Sequence, residues 1–160
     1  MSQPTKSLSA IVAQWQRERA DIDSRPMALC GQVWRTADIL RKAVNENLAN
    51  YAMDSARSDV LFSLRRQGKG QSLSPSQLAE EVMLSTSAMT NRLDKLEQAG
   101  LIKRQADPQD RRGLKIKLTE QGFALADEMV VTHVAAEAKM LKGLTETQRQ
   151  TLMDLLAKIS

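Results

Sequence analysis

Apolar residues recur at helical spacing along most of this chain and switch to strict alternation only once. In residues 8–20, Leu8, Ile11, Val12 and Trp15 lie opposite Gln14, Arg17, Glu18 and Arg19, which predicts a short amphipathic helix. Residues 21–25 break the pattern, and Pro26 suits the first turn of a second helix over residues 27–49. There Met27, Cys30, Val33, Trp34, Ala37, Leu40, Ala43, Val44 and Leu48 form a stripe wide enough for more than one neighbour, a second subunit among them. Cys30 reads first as a small buried hydrophobe, with redox sensing as the alternative. Asp54 and Ser55 cap a helix reaching residue 67, whose core side is Val60, Leu61 and Leu64. Asp59 and Arg66 share a face with Phe62 and Ser63 that points away from that core. They stand roughly 10 Å apart along the axis, too far for a simple pair, and read either as solvated charges or as two fixed charges lining a cleft.

Residues 68–70 end that helix and residues 71–73 suit a short strand. Ser74-Pro75-Ser76-Gln77 is a capping box with Pro at the first helical position. It opens a helix over residues 75–83 with Leu78, Ala79 and Val82 at helical spacing, and a turn at Leu84-Ser85 leads into a central helix over residues 85–100. Two short helices joined by a tight turn predict a helix-turn-helix. On the central helix Met89, Leu93 and Leu96 set the core direction, and Ser87, Thr90, Asn91 and Asp94 fall on the opposite face. Asn pairs bidentately with adenine, and Ser or Thr contacts any base edge. Ser74, Ser85 and Thr86 join this predicted DNA-contact set. Arg92 falls roughly 60° from the core direction and should look back into the protein; Lys95 is placed on the other flank, suited to a phosphate. Gly100 stops the helix. Residues 101–104 and 114–118 read as strands, the second with clean alternation, joined by a turn carrying Arg111 and Arg112. A basic hairpin directly after a helix-turn-helix is a wing, with Arg aimed at a narrow minor groove.

Thr119 caps a long helix to residue 142, with Leu125, Met129, Val130, Val134, Ala138 and Leu141 along it. His133 beside this stripe reads as a satisfied interface or core imidazole ahead of a ligand or pH sensor. Thr145-Glu146-Thr147-Gln148 is a second capping box. The last helix aligns Leu152, Leu155, Leu156 and Ile159, and implies mutual burial in a dimer.

Composition narrows the function. Net charge is +4, but residues 1–64 carry 8 basic and 7 acidic side chains, residues 65–118 carry 11 and 6, and residues 119–160 carry 4 and 6. The excess therefore lies in the helix-turn-helix and wing, which fits a phosphate partner better than a uniformly solvated basic surface. One Cys and one His exclude a disulfide framework or a multi-Cys/His zinc site within one chain. Without a signal peptide or transmembrane run, a cytoplasmic protein with no cofactor is expected. An enzyme is disfavoured, since Asp59, Arg66 and Arg92 lack a nucleophile–base pair, metal cluster or phosphate loop. A constitutive architectural DNA binder would need no cleft.

The segment TNRLDKLEQAGLIKRQADPQDRRGLKIKLTEQG, residues 90–122, resembles the signature of the MarR family of bacterial transcriptional regulators, and with the flanking helices the resemblance covers essentially the whole chain. It implies a mainly α fold with a small β wing, a winged helix-turn-helix with N- and C-terminal dimerisation helices. The implied divisions are residues 1–53 for dimerisation and the ligand cleft, residues 54–118 for DNA binding and residues 119–160 for dimerisation. It also implies a homodimer on a pseudo-palindromic double-stranded operator, usually a repressor, released by a small ligand. Trp15, Asp59, Arg66 and Arg92, together with RPMALCG and DVLFSLRRQG, resemble the urate-responsive, PecS- and MftR-like subgroup. That resemblance implies a planar anion held by Arg66 and Arg92, covered by Trp15 and sensed by Asp59. Phenolic compounds, or oxidants through Cys30, are the alternative signals.

Overall fold

A computed structural model describes residues 7–82, 86–108, 110 and 113–159, with only the backbone of Thr86 and Ser87. The elements are α1 (Leu8–Glu18), α2 (Arg25–Ala49), α3 (Ser55–Arg66), α4 (Pro75–Glu81), α5 (Thr86–Gln98), β1 (Ile102–Ala106), β2 (Leu114–Leu118), α6 (Glu120–Met140) and α7 (Glu146–Leu156). They form two units, residues up to Ala43 and residues from Val44 onward. No helix among the described residues is long and apolar enough to cross a membrane.

In the first unit the Ser7 hydroxyl caps α1 by accepting from the Ala10 N–H. Ser24, buried, donates to the Val12 carbonyl at 3.4 Å. Leu8 lies against Gly31, where an added Cβ would stand 2.9 Å from its Cδ2. Met27, Leu29, Trp34 and Ile39 on α2 are exposed. Cys30 is exposed too, which corrects its reading as a buried hydrophobe: among the described residues of its own unit, none covers that part of the α2 stripe.

The second unit holds the core. Leu48, Val60, Leu61, Leu64, Leu78, Met89, Leu93, Leu96, Ile102, Ile116 and Met129 are essentially inaccessible, each side chain contributing about 1.5–3 kcal/mol of burial free energy. Side-chain caps start its helices as the sequence predicts: Asp54 accepts from the Arg57 N–H, Thr119 from the Gly122 N–H, and both capping boxes, at Ser74 and Thr145, are complete. The strands pair antiparallel, Ile102 opposite Leu118 and Arg104 opposite Ile116, and the short strand expected at residues 71–73 is a single bridge from Leu73 to Ile116. Gly122 packs so closely that a Cβ there would sit 1.9 Å from the Leu101 carbonyl oxygen.

One expectation for α3 fails. The face with Phe62 and Ser63 does not point away from the core: Ser58 and Ser63 are buried, and Phe62 packs on the core and against the His133 ring, with centroids 5.2 Å apart. This helix is central, contacting α4, α5, α6 and β2, so it has several buried sides instead of one stripe.

Candidate nucleic-acid interface and effector cleft

Helix α5, the second helix of the predicted helix-turn-helix and its expected recognition helix, buries Met89, Leu93 and Leu96 and exposes Thr90, Asn91, Asp94 and Lys95. The polar face predicted to read bases is therefore exposed from Thr90 to Lys95. Ser85, Arg111 and Arg112 lie outside the described residues, as do the side chains of Thr86 and Ser87. The Ser74 hydroxyl holds the α4 cap, accepting from the Gln77 N–H at 3.1 Å and lying 2.8 Å from the Ser76 hydroxyl.

Arg92 turns back into the protein as its helical angle predicts. It is half-buried and donates from Nη1 to the Ala56 carbonyl at 3.1 Å. Beside it opens a cleft of about 460 Å³ lined by Asp54, Ala56 and Arg57 from the start of α3 and by Ala88, Asn91, Arg92 and Lys95 from α5. Lys95 is thus on the same flank as Arg92, not the opposite one, because i, i+3 side chains are neighbours on a helix. The lining carries three cations and one carboxylate. Partial burial works to raise the Asp54 carboxyl, but the Arg57 N–H and guanidinium and the charge of Arg92 outweigh it and hold it below the usual range. Arg57 is itself fixed, donating to Asp54 at 3.0 Å and to the Ala52 carbonyl at 3.1 Å.

Asp59 has no hydrogen bond or ion pair among the described residues. Desolvation raises its carboxyl above the ordinary range, against the pull of Arg92 and His133 and with a further push from Asp54. His133 stands behind it on α6, Nε2 3.3 Å from Glu137 and Nδ1 buried without a partner. The structure brings Asp59 and Arg92 within electrostatic reach of each other. Arg66 is held elsewhere, ion-paired with Glu81 at the end of α4. Trp15 is exposed on α1, in the first unit.

Sequence reasoning missed Asp54 and Arg57 as cleft residues, although a carboxylate three positions before an Arg at a helix start is a visible signal. It also missed Arg104. From β1 this residue donates its backbone N–H to Glu97 at 3.0 Å, one guanidinium nitrogen to Glu97 and the other to Asp94 at 2.6 Å. The Arg104 N–H and guanidinium hold the Glu97 carboxyl below the usual range. These contacts fasten the wing to the recognition helix.

Residues 55–114 match the model of the MarR family. The chain is 37% identical over 152 residues to the HTH-type transcriptional regulator PecS of Dickeya dadantii, covering 95% of this chain and 92% of that relative. It is 32% identical over 115 residues to the HTH-type transcriptional repressor MdtR of Bacillus subtilis, covering 72% of each. Its fold resembles that of a mutant MarR from E. coli complexed with operator DNA, at TM-score 0.75 and 26% identity over 85% of this chain and 96% of that one. The chain belongs to the MarR family and is a winged-helix DNA-binding transcriptional regulator, not an enzyme.

Proposed function

We propose that this regulator acts in the cytoplasm as a repressor, binds a pseudo-palindromic operator as a homodimer, and is released when a small planar anion, urate or a related purine, enters the cleft beside Arg92. The observation that carries this reading is the composition of the cleft: Arg57, Arg92 and Lys95 against Asp54, with the recognition helix itself as one wall. Its volume suits a small ligand. Among the described residues Arg92 donates to one acceptor, the Ala56 carbonyl, and a guanidinium carries five N–H donors, so it keeps donors for charge-assisted bonds to an anion. An anion there would pull on the helix that reads the DNA, and would meet the Asp59 carboxyl across Arg92. In this reading Arg66 joins only by exchanging Glu81 for the ligand.

On the DNA side, Thr86, Ser87, Thr90 and Asn91 are assigned to base edges, Ser74, Ser85 and Lys95 to the backbone, and Arg111 and Arg112 to the minor groove. Residues 54–118 then form the DNA-binding domain, with residues 1–53 and 119–160 for dimerisation. Support for a homodimer comes from the bare aliphatic side chains of α6 and α7, among them Val131, Val134, Met153 and Leu155, which a second copy would cover. The relative MdtR is named a repressor, which supports the sign of regulation. A mobility-shift titration tests the reading: urate at up to millimolar concentration dissociates the operator complex, and unchanged binding removes urate as the effector while leaving DNA binding standing.

A further inference from the structure

The two sides of the cleft beside Arg92 differ in chemistry. On the α5 side Arg92 and Lys95 can only donate, and Asn91 carries no charge. On the α3 side a carboxylate and a guanidinium stand together. The Arg57 Nε donates to Asp54 Oδ2 at 3.0 Å, and the Arg57 backbone N–H donates to Asp54 Oδ1 at 2.8 Å. The guanidinium is held at a second point, Nη2 donating to the Ala52 carbonyl at 3.1 Å. Among the described residues its Nη1 has no acceptor. An ionised carboxylate offers about four lone-pair sites, and Arg57 takes one on each oxygen, so the exposed Asp54 keeps acceptor capacity for a ligand.

A site for anions in general gains nothing from a carboxylate, which repels what the cations attract. Capping α3 does not need the charge either, since Asn and Ser cap as well as Asp. We propose that Asp54 and Arg57 are the selectivity element of the cleft, reading an adjacent N–H and C=O on the ligand edge, so that the effector is an anionic lactam or imide ring of the urate kind and not an aromatic carboxylate. The inference rests on the effector reading of this cleft. Arg57 donates Nη1 to the ring carbonyl, Asp54 accepts from the neighbouring ring N–H, and Arg92 and Lys95 balance the negative charge of the ring. Burial pushes the Asp54 carboxyl up, but the Arg57 N–H and guanidinium outweigh it, so Asp54 remains an acceptor near neutral pH. An aromatic carboxylate presents acceptors alone and leaves Asp54 facing its charge. A site built to hydrogen-bond a particular N–H rejects analogues that lack it far better than an apolar pocket rejects a change of size.

Isothermal titration calorimetry on the full-length protein without DNA compares urate with benzoate, a planar anion that has no N–H. Wild type is expected to bind urate about tenfold tighter than benzoate or better. Asp54→Asn keeps the cap of α3 but replaces the carboxylate by a neutral amide. In that variant urate affinity falls about tenfold, while benzoate affinity does not fall. Arg57→Gln weakens both anions, because it removes a donor that either can use. Divergent responses of the two anions to Asp54→Asn cannot come from a damaged fold, which would lower both. The proposal is overturned if Asp54→Asn leaves urate unchanged or lowers both anions alike. Benzoate bound more tightly than urate by wild type overturns the selectivity and leaves the cleft an effector site. If wild type binds neither anion, the effector reading of the cleft falls and this assignment falls with it.

Discussion

The two flanks of the recognition helix are built in opposite ways. Toward the wing, Arg104 ties Asp94 and Glu97 to β1, Gly100 closes the helix, and Leu101 is pressed against Gly122. Toward the start of α3, the same helix meets an open cationic cleft crossed by the Arg92–Ala56 hydrogen bond. One flank fixes where the helix stands relative to the wing; the other leaves room for a small molecule to act on it. A coupling of only about 1.4 kcal/mol changes DNA affinity tenfold, so a modest push from the open side suffices, provided helix and wing move together.

The comparison breaks most completely at Gly122. A Cβ there overlaps the Leu101 backbone, which cannot swing aside as a flexible side chain would. Gly122→Ala should lose about 3 kcal/mol or more of unfolding free energy, read by urea denaturation, and lose operator binding with it. Next in size is Arg104→Gln. Its ion pairs are partly exposed, so stability should fall by no more than about 1 kcal/mol. Operator affinity should fall about tenfold, because the wing is no longer held in register with α5. The Glu97 carboxyl is depressed in the folded protein, so its ion pair stabilises above the ordinary carboxylate pKa and that contribution is lost as pH falls through the folded value. In Arg104→Gln the backbone N–H to Glu97 remains and only the guanidinium is lost, so an NMR titration should find Glu97 moved part of the way back up; an unmoved Glu97 would mean the guanidinium adds nothing to the fastening.

On the open flank the two arginines separate. Arg92→Gln should reduce the effector-induced loss of operator binding at least tenfold. Arg66→Gln should reduce it by about threefold or less, since an effector reaching Arg66 must first displace Glu81 from an exposed ion pair. Equal effects from the two variants would erase the distinction between them.

Much of this was legible in residue order. Caps are local, so Ser74, Thr119 and Thr145 announced their helices, and the inward turn of Arg92 followed from its angle to Met89, Leu93 and Leu96. Local information failed where a helix has several neighbours or a side chain reaches another element. Ser58 and Ser63 are buried because α3 is surrounded, which one apolar stripe does not reveal. Arg104 finds Asp94 and Glu97 only once the strand is laid beside the helix. Arg66 and Glu81 are brought together by the packing of α3 on α4, across fifteen positions of sequence.

The smallest expected effect lies at a helix end on the open flank. Both α2 and α5 close with the same pair of hydrogen bonds, Met53 N–H to the Leu48 carbonyl with Ala52 N–H to Ala49, and Leu101 N–H to Leu96 with Gly100 N–H to Glu97. Each places a left-handed residue at the turn, Gly100 at φ 70° and Ala52 at φ 54°. Glycine takes that conformation without a Cβ penalty and alanine does not, so the wing side ends unstrained and the cleft side does not. The Ala52 carbonyl also receives the Arg57 guanidinium that lines the cleft. Ala52→Gly should therefore raise unfolding free energy by about 0.5–1 kcal/mol, the relief of the turn exceeding the added freedom of the unfolded chain. It preserves the carbonyl, so Arg57 stays in place and the effector response should match wild type. If the response changed while stability rose, the strain at Ala52 would belong to the switching of the open flank instead of being an accident of the turn.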